Sequence, residues 1–120
     1  MAKKEVMTDL WVYEMLREID MHNHFSAQGS NIKELDEALS TASKKGTGNV
    51  GFPEYIGVIN DFLIVIEDKA NLNKHVNRTD KDLIAEDVKS ITEYAVNGAL
   101  FYGKHLAKNT TYNKIIAIGI

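Results

Sequence analysis

Two apolar runs with only two polar residues between them constrain this chain more than any other feature. Tyr55–Ile59 and residues 62–66 are rich in Ile, Val and Leu, and Asn60-Asp61 separates them. Both turn residues tolerate a positive φ, so the segment predicts a β-hairpin with a two-residue turn. An unbroken apolar run is typical of a strand that is buried on both faces. We therefore expect the second strand to lie inside the core.

A turn of this length fixes which residues face each other across the hairpin. Ile59 pairs with Phe62 and, counting outward along both strands, Glu54 lies opposite Glu67. Directly opposed Cβ atoms are about 4.5–5.5 Å apart, and like charges at that distance destabilise a sheet. We therefore expect a positive group between these two carboxylates.

The residues that follow Glu67 suggest which chemistry this end of the hairpin performs. Side chains alternate along a strand, so Glu67 and Lys69 are predicted to share one face while Asp68 points to the other. A magnesium ion needs only one or two protein carboxylates, together with water and substrate phosphate. Glu54, Glu67 and Lys69 therefore predict a site for a divalent metal and a phosphodiester.

The triplet Glu67-Asp68-Lys69 is informative because it lies at the end of a predicted buried strand. A Glu-x-Lys triplet by itself arises by chance about once in a chain or two of this length. Asp87-Val88-Lys89 has the looser acid-x-Lys pattern, but it lies in a helical pattern, where residues two apart do not face each other. The alternative interpretation of Glu67 and Lys69 is a surface pair that ends a core strand.

The hairpin resembles the PD-(D/E)xK nuclease superfamily, with Pro53-Glu54 in the PD position and Glu67-Asp68-Lys69 as the ExK motif. The chain is most similar to N-terminal nuclease domains of type I restriction enzyme R subunits and of fused type IIG-like restriction-modification proteins, over roughly residues 8–120. The segments that show this are Ala42-Ser43-Lys44-Lys45-Gly46, Gly51-Phe52-Pro53-Glu54-Tyr55 and Tyr94-Ala95-x-x-Gly98-x-x-x-Tyr102. Glu54 stands where Asp is usual, and the downstream helix lacks a Gln-x-x-x-Tyr motif.

This resemblance implies a fold and a function. The expected fold is α/β (α+β), a restriction-endonuclease-like core with a mixed central sheet flanked by helices. The expected function is a Mg²⁺-dependent, type I-like endonuclease domain of a restriction-modification enzyme, which hydrolyses phosphodiester bonds. The competing hypothesis is a catalytically degenerate nuclease-fold module that docks subunits or senses DNA.

The resemblance also implies roles for individual residues. Glu54 and Glu67, with the backbone carbonyl of Asp68, would hold Mg²⁺, for which Mn²⁺ could substitute. Lys69 would orient the attacking water and stabilise charge on the phosphorane. Lys44, Lys45 and Lys74 are also predicted to contact DNA, and for Lys44 and Lys45 a solvated loop is an equally favoured alternative.

The implied partners are double-stranded DNA and methyltransferase and specificity subunits or domains. ATP or S-adenosylmethionine would act only through domains outside this chain. We expect residues 1–120 to be a single nuclease-like domain, an N-terminal fragment of a larger restriction protein, because the sequence stops directly after an apolar strand.

Composition is consistent with one small domain of the cytoplasm. At 120 residues and 44% apolar content the chain can bury one core. It has no cysteine, which removes disulfides and thiolate metal sites and is typical of a reducing compartment. It also lacks a signal peptide and any apolar run approaching the ~18 residues that cross a membrane, so no membrane association is expected.

The net charge of −3 argues against a freestanding DNA-binding domain, since such domains are usually basic. The acidity is concentrated in residues 1–42, which contain four basic and eight acidic groups. Residues 43–78 contain five basic and four acidic groups, and two of those acids are the proposed metal ligands. An acidic nuclease module that relies on partners to hold DNA is consistent with this distribution.

Periodicity predicts the order helix, helix, strand, strand, helix, strand, with the last strand at residues 114–120. The predicted helix starts are Thr8 or Asp9, Asn31 with Glu34 as a capping box, and Thr79 or Asp80. The stripes predicted to be buried are Val12, Met15, Leu16 and Ile19, then Ile32, Leu35, Leu39 and Ala42, then Ile84, Val88, Ile91, Ala95, Gly98 and Tyr102.

Several other polar residues are alternatives to this site. Asp61 could serve as the first acid, but in a tight hairpin it lies at the far end of the strand, about 20 Å from Glu67 at ~3.3 Å per residue. Glu14 or Glu18 could add an acid from the first helix. His22-Asn23-His24 resembles a metal pair without a third ligand, and an exposed turn is favoured. A solvated loop position is favoured for His75.

Overall fold

A four-stranded mixed sheet forms the centre of the computed structural model, which describes residues 3–27, 29–43 and 51–120. Its strands lie in the order β1 (Phe25–Ala27), β2 (Tyr55–Ile59), β3 (Phe62–Glu67) and β4 (Ile115–Gly119). The pairs β1–β2 and β2–β3 are antiparallel, whereas β3 and β4 are parallel. This confirms the predicted mixed sheet, to which the structure adds β1.

The hairpin has the predicted register. Tyr55 pairs with Ile66 and Ile59 pairs with Phe62, so only two residues form the turn. Of these two, Asn60 adopts a positive φ of 56° and Asp61 does not. The end of the hairpin that contains Glu54 and Glu67 is therefore far from the turn.

Helices cover both faces of the hairpin. On one face Ile56 and Val65 belong to a buried cluster with residues of α2 (Lys33–Leu39) and α4 (Ala95–Asn109). The residues that these two helices contribute to the cluster are Leu35, Ala38, Leu39, Tyr102 and Leu106. On the other face Tyr55 and Ile66 pack with Val12 and Leu16 of α1 (Lys3–Glu18). No helix in the described ranges is long and apolar enough to cross a membrane.

Backbone hydrogen bonds join the end of the last strand to the segment that follows β3. The backbone N–H of Ile120 donates to the carbonyl of Glu67, and the N–H of Lys69 donates to the carbonyl of Ile120, both at 2.9 Å. A Cβ added to Gly119 would lie 2.4 Å from the backbone nitrogen of Val96, so α4 begins very close to β4. This packing holds the backbone on both sides of Asp68.

The long helix predicted from Thr79 or Asp80 is wrong. An isolated β-bridge joins Arg78 to Ile84, and α3 (Val88–Glu93) begins only after Asp87, whose side chain accepts from the N–H of Ser90. The helix then stops at Tyr94, where φ is −114° and ψ is 137°, before α4 begins.

A buried asparagine explains why this segment is a loop. The Asn97 side chain is 1% exposed, accepts from the N–H of Asn77, and donates to the carbonyls of Asn77 and Ala85. These bonds satisfy backbone groups that a helix would otherwise pair internally. Tertiary contacts therefore override the helical periodicity of the sequence.

The two earlier helices also differ in detail from prediction. The first begins at Lys3, so Thr8 and Asp9 lie inside it, and Met15 and Ile19 are exposed rather than buried. The second has Ile32 at its N-cap without a side-chain cap, so the predicted capping box is wrong. Glu34 instead accepts hydrogen bonds from the backbone N–H and hydroxyl of Thr111.

Candidate active site

Glu54 and Glu67 meet at the open end of the hairpin. The backbone N–H of Glu54 donates to Oε1 of Glu67 over 3.0 Å. The Glu67 residue is only 3% exposed, whereas Glu54 is half-buried. A carboxylate in this position is oriented by a backbone donor and shielded from water on most sides. The structure therefore brings together the two acids that the hairpin register predicts to be opposed.

A buried tyrosine lies beside this pair. Tyr102 of α4 is 2% exposed, and burial, followed by the charges of Glu67 and Glu54, raises the pKa of its phenol. A Cβ added to Gly51 would lie 2.5 Å from the Tyr102 hydroxyl oxygen. Glycine at position 51 therefore lets the loop before β2 pass directly over the phenol.

A backbone hydrogen bond to Ile120, directly after β4, fixes the position of Lys69. Because Glu67 and Lys69 are two residues apart on an extended segment, alternation puts their side chains on the same side. Lys69 is half-buried at the point where the ladder with Ile120 ends. The three residues of the predicted catalytic set thus occupy one end of the sheet.

Asp68 lies on the opposite face and is almost completely buried, at 2% exposure. Among the described residues no fixed donor bonds either of its carboxyl oxygens, and its hydrogen bond with the Asp9 carboxyl requires a proton on one of the two acids. Burial, then the Asp9 carboxyl, then Glu54 and Glu67 raise the pKa of Asp68 from 3.8 to about 9. The predicted metal contact of Asp68 uses its backbone carbonyl, and its buried side chain is an additional feature of the structure.

The sequence interpretation missed Asp9 as a neighbour of this site. Asp9 is half-buried on α1, and its backbone carbonyl accepts a 2.7 Å hydrogen bond from the Tyr55 hydroxyl. Burial, followed by Asp9, Asp68 and Glu54, raises the pKa of Tyr55 to about 12. The helical spacing of Asp9 from Val12 and Leu16, three and seven residues, was the available signal, because it puts all three on one face.

The alternative acids lie elsewhere. Asp61 is exposed at the turn and forms a 2.6 Å ion pair with Lys114. Glu14 is exposed and pairs with Arg17 at 3.6 Å, while Glu18 is exposed at the end of α1. Asp61 is therefore at the end of β3 opposite Glu67, as the register predicts.

The histidines do not form a metal cluster. His75 Nε2 lies 2.9 Å from the carbonyl oxygen of Gly119. The His22 ring meets the Tyr13 ring edge to face, with the centroids 6.0 Å apart. Among the described residues no group of three or more His, Asp or Glu side chains is arranged to hold a metal ion.

Of the lysines predicted to contact DNA, only Lys74 lies within the described residues. Its ammonium forms a 3.1 Å ion pair with Glu93 and lies 5.0 Å from the centre of the Tyr94 ring. The hydrogen bond and charge of Glu93 raise the pKa of Lys74. Lys44 and Lys45 lie outside the described residues, so the structure does not place them relative to the site.

The sequence is similar to that of a known protein. It is 33% identical over 122 residues to the type II restriction enzyme and methyltransferase RM.BcgI of Heyndrickxia coagulans. The match takes in 100% of this chain but only 19% of the length of that relative. No protein-family model matches the chain, and no solved structure matches it significantly. The chain therefore corresponds to about a fifth of the length of this relative.

Proposed function

We propose that this chain is a Mg²⁺-dependent DNA endonuclease domain of a restriction-modification enzyme that hydrolyses phosphodiester bonds. The main support is the contact of Glu54 with Glu67 at the open end of the hairpin, two residues before Lys69. The similarity to a protein that is both restriction enzyme and methyltransferase supports the same biological context. Double-stranded DNA would be the substrate, and methyltransferase and specificity domains or subunits would be the partners.

The donor set at the hairpin end fits a hard divalent cation. Glu54 and Glu67 offer carboxylate oxygens, and Mg²⁺ characteristically takes one or two carboxylates while retaining several waters. Such a site does not require three clustered side chains. The acids at this end repel one another, since the charges of Glu54 and Glu67 both contribute to the raised pKa of the Asp68 carboxyl, and a bound cation would relieve that repulsion. A bound ion would polarise the scissile phosphate and lower the pKa of the attacking water.

The chain's own residues would perform three tasks. Glu54, Glu67 and the backbone carbonyl of Asp68 would hold the cation. Lys69 would orient the attacking water and stabilise negative charge that develops on the phosphate. The Tyr102 phenol, buried beside both glutamates, would limit the access of bulk water to the carboxylates.

Plasmid cleavage tests this proposal. The full-length protein that contains this chain should nick or cut supercoiled DNA with Mg²⁺ or Mn²⁺, and Lys69→Ala should abolish cleavage while leaving Mn²⁺ affinity within about threefold, because an ammonium is not a ligand. Lys89→Ala is the matched control, since Lys89 belongs to the exposed Asp87-Val88-Lys89 triplet of similar composition. Cleavage by Lys69→Ala at the wild-type rate would remove Lys69 from the mechanism.

One observation favours the competing hypothesis of a degenerate docking module. Helix α1 exposes large apolar side chains, among them Met7 at 63% and Leu10 and Trp11 at 56% each. Exposed apolar residues in such number are typical of interaction surfaces. If the wild type binds no Mn²⁺ through Glu67 and leaves plasmid intact, this hypothesis replaces the nuclease proposal.

A further inference from the structure

The parallel strand pair β3–β4 is covered on one face only. On that face Ile115 packs against the buried cluster of α4, and a Cβ added to Gly103 of α4 would lie 3.5 Å from the Ala117 Cβ. On the other face Ile116 is 43% exposed and Ile118 is 37% exposed. Strands that pair in parallel are usually buried on both faces, because helices cover both sides of such a sheet. Within the described part of the chain this face of β4 is instead open to solvent.

The open face of β4 lies on the side of the sheet that α1 occupies. In the parallel register Ile118 lies beside Ile66, so their side chains share a face. Ile116, two residues earlier on the strand, has the same orientation as Ile118. Ile66 packs with Val12 of α1. The exposed isoleucines of β4 are therefore beside α1 rather than beneath it.

Helix α1 turns an apolar flank toward β4. Val12 packs on the sheet, and the residues before and after it project about 100° to either side. Tyr13 meets the ring of His22, which lies just before β1 at the sheet edge opposite β4. Trp11 therefore projects toward β4, and it is 56% exposed. Met15, one turn later on the same flank, is 42% exposed.

Four apolar side chains thus border an open groove between α1 and β4. Trp11 and Met15 form its wall, Ile116 and Ile118 form its floor, and we call it the α1–β4 groove. Neighbouring apolar residues that remain exposed are typical of interaction surfaces. An amphipathic helix can bury one apolar stripe in a groove of this kind.

Acidic residues of α1 border the α1–β4 groove on its solvent side. Glu14 and Glu18 follow Trp11 by three and seven residues, so both lie on the flank that bears Trp11. Glu14 shares a 3.6 Å ion pair with Arg17, whereas Glu18 is exposed and forms no ion pair within the described ranges. Lys or Arg beside the apolar stripe of a partner helix would be attracted to this rim. A second copy of α1 would bring the same acids, so like charges oppose self-association here.

We propose that the α1–β4 groove binds a basic amphipathic helix from another domain of the polypeptide to which this chain belongs. The helix would bury its apolar stripe on the four groove residues and direct Lys or Arg toward Glu18. The part of the relative that matches this chain is 19% of its length, and a helix tethered in the same polypeptide is held at high effective concentration. This source rests on the proposed place of the chain in a longer restriction enzyme.

Photo-cross-linking in the purified full-length protein tests the proposal. With p-benzoylphenylalanine in place of Ile116, irradiation should link position 116 to one segment outside residues 1–120. Mass spectrometry should identify that segment as a helical pattern with Lys or Arg beside its apolar stripe. Leu72, which is 94% exposed and outside the groove, is the control position, and the same replacement there should not link to that segment. Circular dichroism would verify that each variant is folded.

Two substitutions test which properties of the groove matter. Ile118→Thr keeps a β-branched residue in the strand but removes apolar surface, so it should lower the yield of the cross-link from position 116 about fivefold or more. Glu18→Lys should lower the yield about threefold or more, because it reverses the charge at the rim. Glu37→Lys is the matched control and should leave the yield unchanged, since Glu37 is an exposed acid of α2, on the opposite face of the sheet.

Other cross-linked products would overturn the proposal. Links from position 116 only to α1 of the same molecule would show that the groove is empty. Links between two copies of residues 1–120 would show self-association, and links only to a separate polypeptide would reject the proposed source. Equal yields in Glu18→Lys and Glu37→Lys would reject a basic partner helix.

The cross-link and plasmid cleavage report independently on the two proposals. Lys69→Ala should retain the cross-link from position 116, because Lys69 lies outside the groove. Plasmid cleavage by the wild type without this cross-link would overturn the docking inference and leave the nuclease proposal intact. The cross-link without plasmid cleavage would support the inference and reject the nuclease proposal.

Discussion

The backbone N–H of Glu54 donates a hydrogen bond of 3.0 Å to the carboxylate of Glu67. This bond links the mouth of β2 to the end of β3 and orients a carboxylate that is 3% exposed. It connects the two acids without using the Glu54 side chain. Substitutions of that side chain can therefore test its proposed ligand role while the backbone contact is kept.

The first prediction compares Glu54 with the alternative acid Asp61. Glu54→Gln should reduce plasmid cleavage by about a hundredfold or more, because an amide is a poor ligand for Mg²⁺ and the proposed charge stabilisation is lost. Glu54→Asp should retain activity, since Asp is the commoner residue in the resembling superfamily. Cleavage rates of purified variants provide the measurement.

Asp61→Ala is the control for that comparison. Asp61 is exposed and forms a surface ion pair with Lys114 at the turn, so its loss should change the free energy of unfolding by about 1 kcal/mol or less and preserve cleavage. If Asp61→Ala is inactive while Glu54→Gln cuts normally, Glu54 is not a ligand and the catalytic residues are Asp61, Glu67 and Lys69.

A second prediction concerns the close contact between Gly51 and Tyr102. Gly51→Ala should lower the free energy of unfolding by about 1–3 kcal/mol, because its Cβ would lie 2.5 Å from the hydroxyl of a buried tyrosine. Gly103→Ala is the control, since its Cβ would lie 3.5 Å from the Ala117 Cβ, an ordinary contact. Gly103→Ala should instead stabilise the protein by about 0.4–1 kcal/mol. Urea denaturation should show that the free energy of unfolding falls in Gly51→Ala and rises in Gly103→Ala.

A third prediction follows from the buried Asp68 carboxyl in metal-free buffer. Its pKa rises from 3.8 to about 9 on folding, so between these values the folded state retains a proton that the unfolded state has lost. The free energy of unfolding should therefore decrease as pH rises from about 4 to 9 in the presence of EDTA. Asp68→Asn should weaken this pH dependence and be more stable than the wild type near pH 8.

Thermal melts across this pH range provide the measurement, with Asp61→Asn as the exposed control. Asp61→Asn should retain the wild-type dependence on pH. An identical dependence in the wild type and in Asp68→Asn would show that the buried carboxyl does not gain a proton on folding.

A fourth prediction concerns the loop that replaces the expected helix. Asn97→Ala should destabilise the fold by about 1–3 kcal/mol, because it leaves the Asn77 N–H and the Ala85 carbonyl without their side-chain partner. Asn109→Ala is the control, since Asn109 forms one exposed hydrogen bond to the His105 carbonyl and should change stability by about 0.5 kcal/mol or less. Equal unfolding midpoints for the two variants would contradict this role of Asn97.

Short-range patterns in the sequence determined the hairpin and one part of the candidate site. The turn at Asn60-Asp61 fixes the register, and the register with strand alternation puts Glu54 opposite Glu67 and Lys69 on the Glu67 side. These relationships follow from the geometry of a few neighbouring residues, so the sequence could predict them. The metal and catalytic roles of these residues stay predictions.

Tertiary structure alone decided the features that join distant segments. The hydrogen bond of the Tyr55 hydroxyl to the Asp9 carbonyl depends on how α1 packs against the sheet, and the contact of Tyr102 with Gly51 depends on how α4 packs against the other face. The Asn97 side chain likewise bonds backbone groups about 12 to 20 residues away and replaces a helix that periodicity favoured. Local periodicity contains no information on such pairings, because they are selected by the packing of the whole core rather than by the spacing of neighbouring residues.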